Sequence, residues 1–250
     1  MKIENKELTE YLTTSLLFDS TTLGSVGLNS TIWEKYLPFS CEKKDLAKGE
    51  YLLHVGEVLQ GVYFVKKGKI RSNLLGEDGS IKILSITHEG CIFGEQFIFH
   101  EQPSLYEAVA LEDAKVYFFE KQQIIKIMQK DFEINMFIIK SLALKSRNLA
   151  CQIEDISLRN IVQSISRILY ALCCHEARNK KITKNIPIRL SHQDLANLLG
   201  IHRVSVTKNL NILKRQGIID YKYEKIIVKD VPKLKNMAYL FEPLLNGVDE

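Results

Sequence analysis

The chain has 250 residues, of which 46% are hydrophobic and 26% charged, with a formal net charge of +4, and this composition is typical of a globular protein. It contains no apolar run of the roughly 20 residues that a membrane span needs, and its polar start, MKIENKELTEYL, is unlike a signal peptide. We therefore expect a cytoplasmic protein without a membrane partner. Its five cysteines are an odd number without a CxxC pair, so we expect neither structural disulfides nor a zinc site.

The charge is unevenly distributed along the chain. Residues 180–250 contain 13 Lys and Arg against 7 Asp and Glu, whereas the first 179 residues contain 21 basic and 23 acidic residues. A basic C-terminal part on a weakly acidic body predicts a polyanionic partner at that end.

The N-terminal half is predicted to be mostly β structure. After an arm over residues 1–30, short apolar runs alternate with glycines through residues 31–130, which is typical of a β-roll or jelly-roll. The segment GEDGS at 76–80 predicts a hairpin turn, because Asp-Gly accepts the positive φ angles of such turns. The segment VKKGKI at 65–70 predicts a second hairpin.

A helical period follows the β region. Residues 120–131 predict a short amphipathic helix, and residues 131–158 predict a long one. On the long helix Leu142, Leu149 and Ile156 recur every seven residues, which predicts pairing with a second copy of the chain. We therefore interpret residues 131–158 as the dimerisation helix of a homodimer.

The same heptad frame assigns the other residues of the long helix to faces. Ile138 and Lys145 fall in the predicted dimer seam together with Leu142. The opposite face is predicted to pack on the β-roll, and it carries Ile139, Ala143 and Leu144.

Residues 159–235 predict a winged helix-turn-helix, and residues 236–250 a tail. Ser191 is placed to cap the helix HQDLANLL, Gly200 ends that helix, and a second helix, RVSVTKNLNILKRQ, ends at Gly217. Two short strands follow, IIDYK and KIIVKD, joined through Tyr223 and Glu224. This order favours DNA as the partner, and the alternative is a packed helical hairpin with a solvated basic face.

The segments KGEYLLHVGE, YFVKKGKI, EDGS, FGE and LSHQDLANLLGIHRVSVTKNLNILKRQGII stand in the order and spacing of a known family. Over residues 30 to 235 the chain resembles the Crp/Fnr superfamily of bacterial transcription regulators. The resemblance implies an α+β fold with a cyclic-nucleotide-binding-like β-roll, a dimerisation helix and a winged helix-turn-helix. It also implies an activator that binds palindromic double-stranded promoter DNA as a homodimer and recruits RNA polymerase.

The resemblance carries over to residues of the second helix. Arg203, Ser205 and Lys208 match the family's base- and phosphate-contacting positions, and an arginine there can pair with guanine through two hydrogen bonds. Val204 stands where many members have Glu, and an apolar contact to a thymine methyl predicts half-sites rich in A·T pairs. A Val here is similar to the CprK subgroup, whereas Arg203 differs from it. Further residues of the predicted DNA surface are His202, Thr207, Ser191 and Lys214.

The loop after FGE, which binds phosphate in the family, lacks the family's phosphate-binding residues in this chain. The resemblance places an Arg ten residues after Glu95 and a hydroxyl residue next to it, where this chain has Leu105 and Tyr106. A buried cyclic phosphate would then lack a cation, so we do not expect a cyclic nucleotide as the effector. We expect Glu95 to accept backbone N–H bonds within its own turn.

A small organic effector, aromatic, acidic or phenolic, is predicted between the roll and the long helix. Its predicted walls are Tyr63, Phe93, Phe97, Phe99, Tyr106 and Leu142, with Glu95 nearby. In CprK-like proteins a lysine matching Lys145 meets an acidic aromatic effector. The alternative is a lysine that sets the helix register and reaches solvent.

Other functions remain open at this point. An effector-independent protein could use the roll only as a dimer scaffold, and a thiol switch could act through Cys91 or Cys151. Only Cys41 precedes the roll, so we expect no iron–sulfur cluster, and we expect no other cofactor or metal. A jelly-roll enzyme with His88, His100 and Glu95 as metal ligands lacks a His-x-His pair, so we do not expect an enzyme.

Overall fold

A computed structural model of the protein describes residues 29–180, 185–188, 190–222 and 225–238, without the side chains of 174–180. The described residues up to 151 form one compact unit, and those from 152 onward form a second. Most of the predicted arm, the joint at Tyr223 and Glu224, and the tail beyond 238 lie outside the described residues. No helix in the described part is long and apolar enough to cross a membrane.

The first unit contains a 3₁₀ helix, Ser30–Phe39, and eight described strands. The strands are β1 Glu42–Leu46, β2 Tyr51–Leu53, β3 Gly61–Lys67, β4 Ile70–Leu75, β5 Ile81–Thr87, β6 Ile92–Phe93, β7 Glu107–Ala110 and β8 Ala114–Glu120. Its helices are α1 Phe97–His100, α2 Lys121–Lys130 and most of α3 Phe132–Leu158.

The last turns of α3 belong to the second unit, together with α4 Ile161–Lys180, α5 His192–Leu199, α6 Arg203–Arg215 and α7 Val231–Ala238. Its strands are β9 Ile186–Ile188, β10 Ile219–Lys222 and β11 Lys225–Val228, and they form one antiparallel sheet in the order β10-β11-β9.

Two antiparallel four-stranded sheets build the β-roll and confirm the predicted α+β fold. Their strand orders are β1-β8-β3-β6 and β2-β7-β4-β5. The predicted GEDGS hairpin is present, since Leu75 pairs with Ile81, and Gly79 has a φ of 77°. The hairpin predicted at VKKGKI is wrong, because β3 and β4 lie in different sheets. Gly68, with a φ of 86°, turns the chain from one sheet to the other.

Strand β3 is buried on both faces and therefore joins two apolar clusters. Tyr63 and Val65 face the interior between the sheets, where they pack with β6 and β8. Val62 and Phe64 point to the opposite face, which the 3₁₀ helix, α2 and α3 cover. Strand alternation explains the division, because successive side chains point to opposite sides of the sheet.

Helix α3 lies where the heptad spacing predicts a long helix, but its faces differ from the predicted ones. Ile138 is buried in the cluster on the roll, and Lys145 also points to the roll, so their predicted place in the dimer seam is wrong. Ile139 and Ala143, predicted to pack on the roll, are exposed, whereas Leu144 does pack there. The predicted seam combined residues of two faces, since Ile138, Leu142 and Lys145 point to the roll, whereas Leu149 and Ile156 are exposed.

The corrected outer face of α3 still has heptad spacing. Its exposed apolar residues are Ile139, Leu149, Ile153 and Ile156. The last three are separated by four and three residues, which is the spacing of a coiled-coil seam.

The helix-turn-helix of the second unit forms for reasons visible in its sequence. Ser191 caps α5 by accepting a bond from the Asp194 N–H, and Asp194 bonds back to the Ser191 N–H. Gly200 ends the helix with a φ of 69°, which a side chain disfavours. Helix α6 then buries an apolar stripe of Val206, Leu210 and Leu213.

Candidate functional site

The N-terminal part of α6 presents four of the predicted DNA-contacting residues to solvent. His202, Arg203, Val204 and Lys208 are exposed, and Val204 is 80% exposed. The Val204 side chain is therefore accessible at the surface of α6. The first turn of α6 also contains no acidic residue that would repel phosphate.

Thr207, unlike these four residues, is half-buried and makes hydrogen bonds within the protein. Its hydroxyl donates to the Arg203 carbonyl at 3.0 Å and contacts His192 Nδ1 at 2.9 Å. Because the hydroxyl proton is used within the helix, the imidazole Nδ1 must be the donor in the second contact. Burial, followed by the charge of Arg203, lowers the pKa of His192, which favours this neutral ring. Thr207 therefore joins α6 to α5, a contact that the spacing did not predict.

Two more predicted DNA residues have partners in the protein. The Ser191 hydroxyl bonds to Asp194, whose carboxylate lies at the start of α5. Lys214 Nζ lies 3.2 Å from an Asp220 carboxylate oxygen and 4.9 Å from the centre of the Tyr221 ring. Lys214 therefore links α6 to the β10–β11 ribbon. Ser205, which follows the exposed residues 202–204, is half-buried.

A second candidate site is a cavity of about 360 Å³ in the first unit, lined by strands of the roll and by α3. Cavities of this size hold small organic ligands. Its lining residues are Ser72, Leu84, Ser85, Thr87, Phe93, Gln96, Tyr106, Leu142, Lys145, Ser146, Asn148 and Leu149.

An ion pair joins Lys145 of α3 to Glu95 of the roll beside this cavity. Lys145 Nζ lies 2.6 and 2.7 Å from the two carboxylate oxygens of Glu95 and 3.1 Å from the Ile92 carbonyl oxygen. Ser141 donates to the same carboxylate at 2.8 Å. Glu95 is fully buried, and the Lys145 side chain is 20% exposed. Glu95 therefore binds side chains of α3, and the backbone role predicted for it is wrong.

Glu95 does not line the cavity itself, and the other predicted effector residues divide into three groups. Phe93, Tyr106, Leu142 and Lys145 line the cavity, as predicted. Tyr63 and Phe97 are buried in the core between the sheets and do not line it, because their rings point into that core. Phe99 is exposed and also lies away from the cavity lining.

The polar part of the cavity wall was not predicted. Part of it comes from small polar residues on β4 and β5, and the rest from the turn after β6 and from α3. The residues concerned are Ser72, Ser85, Thr87, Gln96, Ser146 and Asn148.

The two residues that replace the family's phosphate ligands point in different directions. Leu105 is 79% exposed, while Tyr106 packs against Phe93 and Phe97 and contacts the Gln96 amide. Burial, and then the charge of Glu95, raises the pKa of the Tyr106 hydroxyl, so this group stays neutral at physiological pH.

The alternative chemistries find little support in the described residues. Cys91 is buried in the apolar cluster, where a thiol packs as a small hydrophobe, and Cys151 is partly buried. Among the described residues, no group of three or more His, Cys, Asp and Glu could hold a metal ion. His88, His100 and Glu95 are therefore not brought together as a metal site.

Comparisons with known proteins cover both units. A family model described as cyclic nucleotide-binding domain matches residues 43–131, and one described as Crp-like helix-turn-helix domain matches residues 163–237. The chain is 26% identical to the anaerobic regulatory protein of Bacillus subtilis over 193 residues, 77% of this chain and 81% of that protein. It is 23% identical to the cyclic AMP receptor protein of Thermus thermophilus over 202 residues, 77% and 86% respectively.

Solved structures agree with these matches. The structure of OCPA-complexed CprK is similar with a TM-score of 0.66 and 26% sequence identity, and the match covers 81% of this chain and 92% of that one.

Proposed function

Since this chain belongs to the Crp/Fnr superfamily of DNA-binding transcription regulators, we propose that it binds a palindromic promoter site as a homodimer and responds to a small organic effector. The exposed N-terminal part of α6 carries the DNA-binding half of this proposal. Arg203 and Lys208 supply charge there, and Val204 supplies an apolar contact.

The proposed DNA site follows from the chemistry of this surface. Arg203 pairs with a guanine through two hydrogen bonds, and Val204 contacts a thymine methyl in a half-site otherwise rich in A·T pairs. Lys208 and Ser205 contact phosphates, and His202 lies at the helix start beside them. Ser191, Thr207 and Lys214 act indirectly, because their side chains hold α5, α6 and the ribbon together.

The proposed homodimer uses the outer face of α3. Ile153 is 64% exposed and Ile156 is 67% exposed on this face, and a second copy of the helix would bury both. Two recognition helices related by a two-fold axis match a palindrome, which is the reason for proposing that site symmetry. The DNA-bound dimer then recruits RNA polymerase in the cytoplasm.

The roll cavity is the proposed effector site, and the effector is not a cyclic nucleotide. Of the described residues that line the cavity, only Lys145 is basic, and Glu95 already neutralises it. A cyclic phosphate would therefore be buried without a free cation. The similarity to CprK, which was solved as an OCPA complex, supports a small organic ligand.

A shift assay on A·T-rich palindromes tests the DNA-binding proposal. Arg203→Ala should weaken specific binding by about tenfold or more, because one bidentate base contact contributes about 1–3 kcal/mol. Lys126→Ala, which removes the same charge from an exposed site on α2, is the matched control and should leave affinity unchanged. Specific binding should also fall steeply with salt as phosphate contacts are lost. Equal effects of the two substitutions would contradict the assignment of α6.

A further inference from the structure

We infer that His192 takes up a proton when the protein binds DNA, and that its imidazolium ring then forms part of the DNA-binding surface. The inference rests on the proposed DNA-binding function and adds to it a residue outside the predicted DNA surface. Three features carry it: the contact of His192 with the N-terminal part of α6, the ring nitrogen that this contact leaves available, and the charges around the ring.

His192, the first residue of α5, contacts the part of α6 that is proposed to bind DNA. Its Nδ1 lies 2.9 Å from the Thr207 hydroxyl, which in turn donates to the Arg203 carbonyl oxygen at 3.0 Å. The centre of its ring lies 5.6 Å from that of the Tyr221 ring on β10. The half-buried imidazole is therefore held between α6 and the β10–β11 ribbon, beside the first turn of α6.

The contact with Thr207 determines which ring nitrogen can meet a phosphate. Because the Thr207 hydroxyl proton is used within α6, Nδ1 of His192 carries the ring proton in the neutral form. Nε2 then has only a lone pair, and no described residue forms a hydrogen bond with it. A lone pair repels a phosphate oxygen, whereas the Nε2–H of an imidazolium donates to it. Only the protonated ring can therefore contribute to phosphate binding.

The charged groups on the elements that contact the ring are mostly basic. The titratable and charged groups described there are Asp194 on α5, Arg203, Lys208, Lys214 and Arg215 on α6, and Asp220, Tyr221, Lys222 and Lys225 on the ribbon. The Asp194 carboxylate bonds to Ser191. The Asp220 carboxylate lies 3.2 Å from Lys214 Nζ and 2.6 Å from Lys229 Nζ. Both carboxylates are therefore engaged by groups other than His192.

DNA changes the charge balance at His192 because it brings negative charge to the same place. In the free protein, burial, followed by the charge of Arg203, lowers the pKa of the His192 ring. Duplex DNA carries one negative charge per about 1.7 Å of its axis, and electrostatic interactions at physiological salt extend over about 8 Å. The two contacts through Thr207 place His192 Nδ1 within that distance of the Arg203 backbone. Phosphates bound at this end of α6 therefore raise the pKa of His192 in the complex.

A pKa that rises on binding makes the DNA affinity depend on pH. The imidazole has its higher pKa in the complex, so binding strengthens as the pH falls through that value. The gain is complete once the pH lies below the pKa of the free protein. The whole change falls within the range of about pH 5 to 8 in which histidine titrates.

Fluorescence anisotropy of the full chain on a labelled A·T-rich palindrome, at constant salt, tests this dependence. The affinity should rise at least about threefold from about pH 7.5 to about pH 6, because one proton is taken up. His192→Asn keeps an N–H donor for Thr207 but does not titrate, so it should remove the rise. An affinity of the parent that does not rise over this range would overturn the inference, as would an equal rise in His192→Asn.

His202→Asn is the matched control, because it removes an exposed histidine from the start of α6. This variant should keep the pH dependence, and loss of the dependence there would assign the proton to His202 and reject the role of His192.

A second measurement does not depend on the folding of any variant. Titration calorimetry of the parent with the same DNA at about pH 6.5, in two buffers of different ionisation enthalpy, gives the number of protons taken up on binding. We expect net uptake, and a value of zero would contradict the inference.

The result is separable from that of the proposed function. Specific, salt-sensitive DNA binding that does not depend on pH would leave the regulator proposal standing and reject the role of His192 alone. Absence of DNA binding at low salt across the whole pH range would reject the proposed function itself, and this inference with it.

Discussion

Glu95 and Asp155 are two carboxylates that differ in the number of cations around them. Glu95, in a turn of the roll, is paired with one lysine of α3. Asp155, in the last turn of α3, lies 3.0 Å from Arg159 Nε and 2.5 Å from an Arg167 guanidinium nitrogen. Glu154 also contacts both arginines, so the second cluster has two acids and two bases.

The two sites differ in whether a counter-ion remains when one charged residue is removed. Removing one partner of the Glu95–Lys145 pair leaves the other without a counter-ion, whereas each acid of the second cluster keeps an arginine when the other is lost. Burial still raises the pKa of Asp155 more than the two arginines lower it. Its folded value lies above its unfolded value, so the contribution of Asp155 to stability falls as the pH rises through that range. The first site therefore depends on one lysine as counter-ion, and the second shares two arginines between two acids.

The largest expected effect comes from breaking the single pair. Glu95→Gln leaves Lys145 largely buried without its counter-ion, so it should lower the free energy of unfolding by about 3 kcal/mol. Urea denaturation followed by circular dichroism measures this. The double variant Glu95→Gln/Lys145→Met should recover most of the loss, because it removes both charges. A double variant as unstable as Glu95→Gln would contradict the assignment of the loss to the unpaired lysine.

A smaller loss is expected from the shared cluster. Arg167→Met removes a buried guanidinium, but Arg159 still contacts Asp155, so the expected loss is about 2 kcal/mol. The same urea experiment measures it, with Arg215→Met at an exposed position of α6 as the control. A loss larger than that of Glu95→Gln would show that redundancy does not distinguish the two clusters.

The smallest effect is expected at Asp131, whose lysine partner, Lys35, is exposed to solvent. Its carboxylate accepts from Lys35 at 2.6 Å, from Tyr36 at 2.7 Å and from the Glu133 N–H at 2.9 Å at the start of α3. The hydrogen bond from Lys35, followed by that from Tyr36, lowers the pKa of Asp131 from 3.8 to about 2. Asp131→Asn removes the charge that these bonds stabilise, so it should lower the free energy of unfolding by about 1 kcal/mol at neutral pH.

The lowered pKa of Asp131 determines how its contribution to stability depends on pH. The folded pKa lies below the unfolded value, so the stabilisation is complete above about pH 4 and is lost as the pH falls toward about 2. The difference between the parent and Asp131→Asn should shrink over that range in urea denaturation. A difference independent of pH would assign the effect of the substitution to something other than ionisation.

Much of the fold could be predicted from sequence because its signals are local. The Asp-Gly turn of the β4–β5 hairpin and the Ser191 cap of α5 each depend on a few neighbouring residues. The α6 surface could be predicted for the same reason, since its exposed residues follow from one apolar stripe.

The missed features depend on contacts between distant segments. Lys145 and Glu95 lie 50 residues apart, and the sequence shows no pairing between them. A helix with apolar residues on two faces fits two heptad frames, so Lys145 was assigned to the wrong face. Asn148 and Leu84 are 64 residues apart in the sequence. The polar wall of the cavity could therefore not be predicted from neighbouring residues.

The single tryptophan of the chain gives the protein an internal optical reporter. Trp33 is fully buried, with its ring centre 5.8 Å from that of Phe64 on β3 and 5.8 Å from that of Phe137 on α3. Its emission therefore depends on how the 3₁₀ helix, the roll and α3 pack together. Any ligand or substitution that loosens this packing should shift the emission to longer wavelength, without a dye or an engineered label.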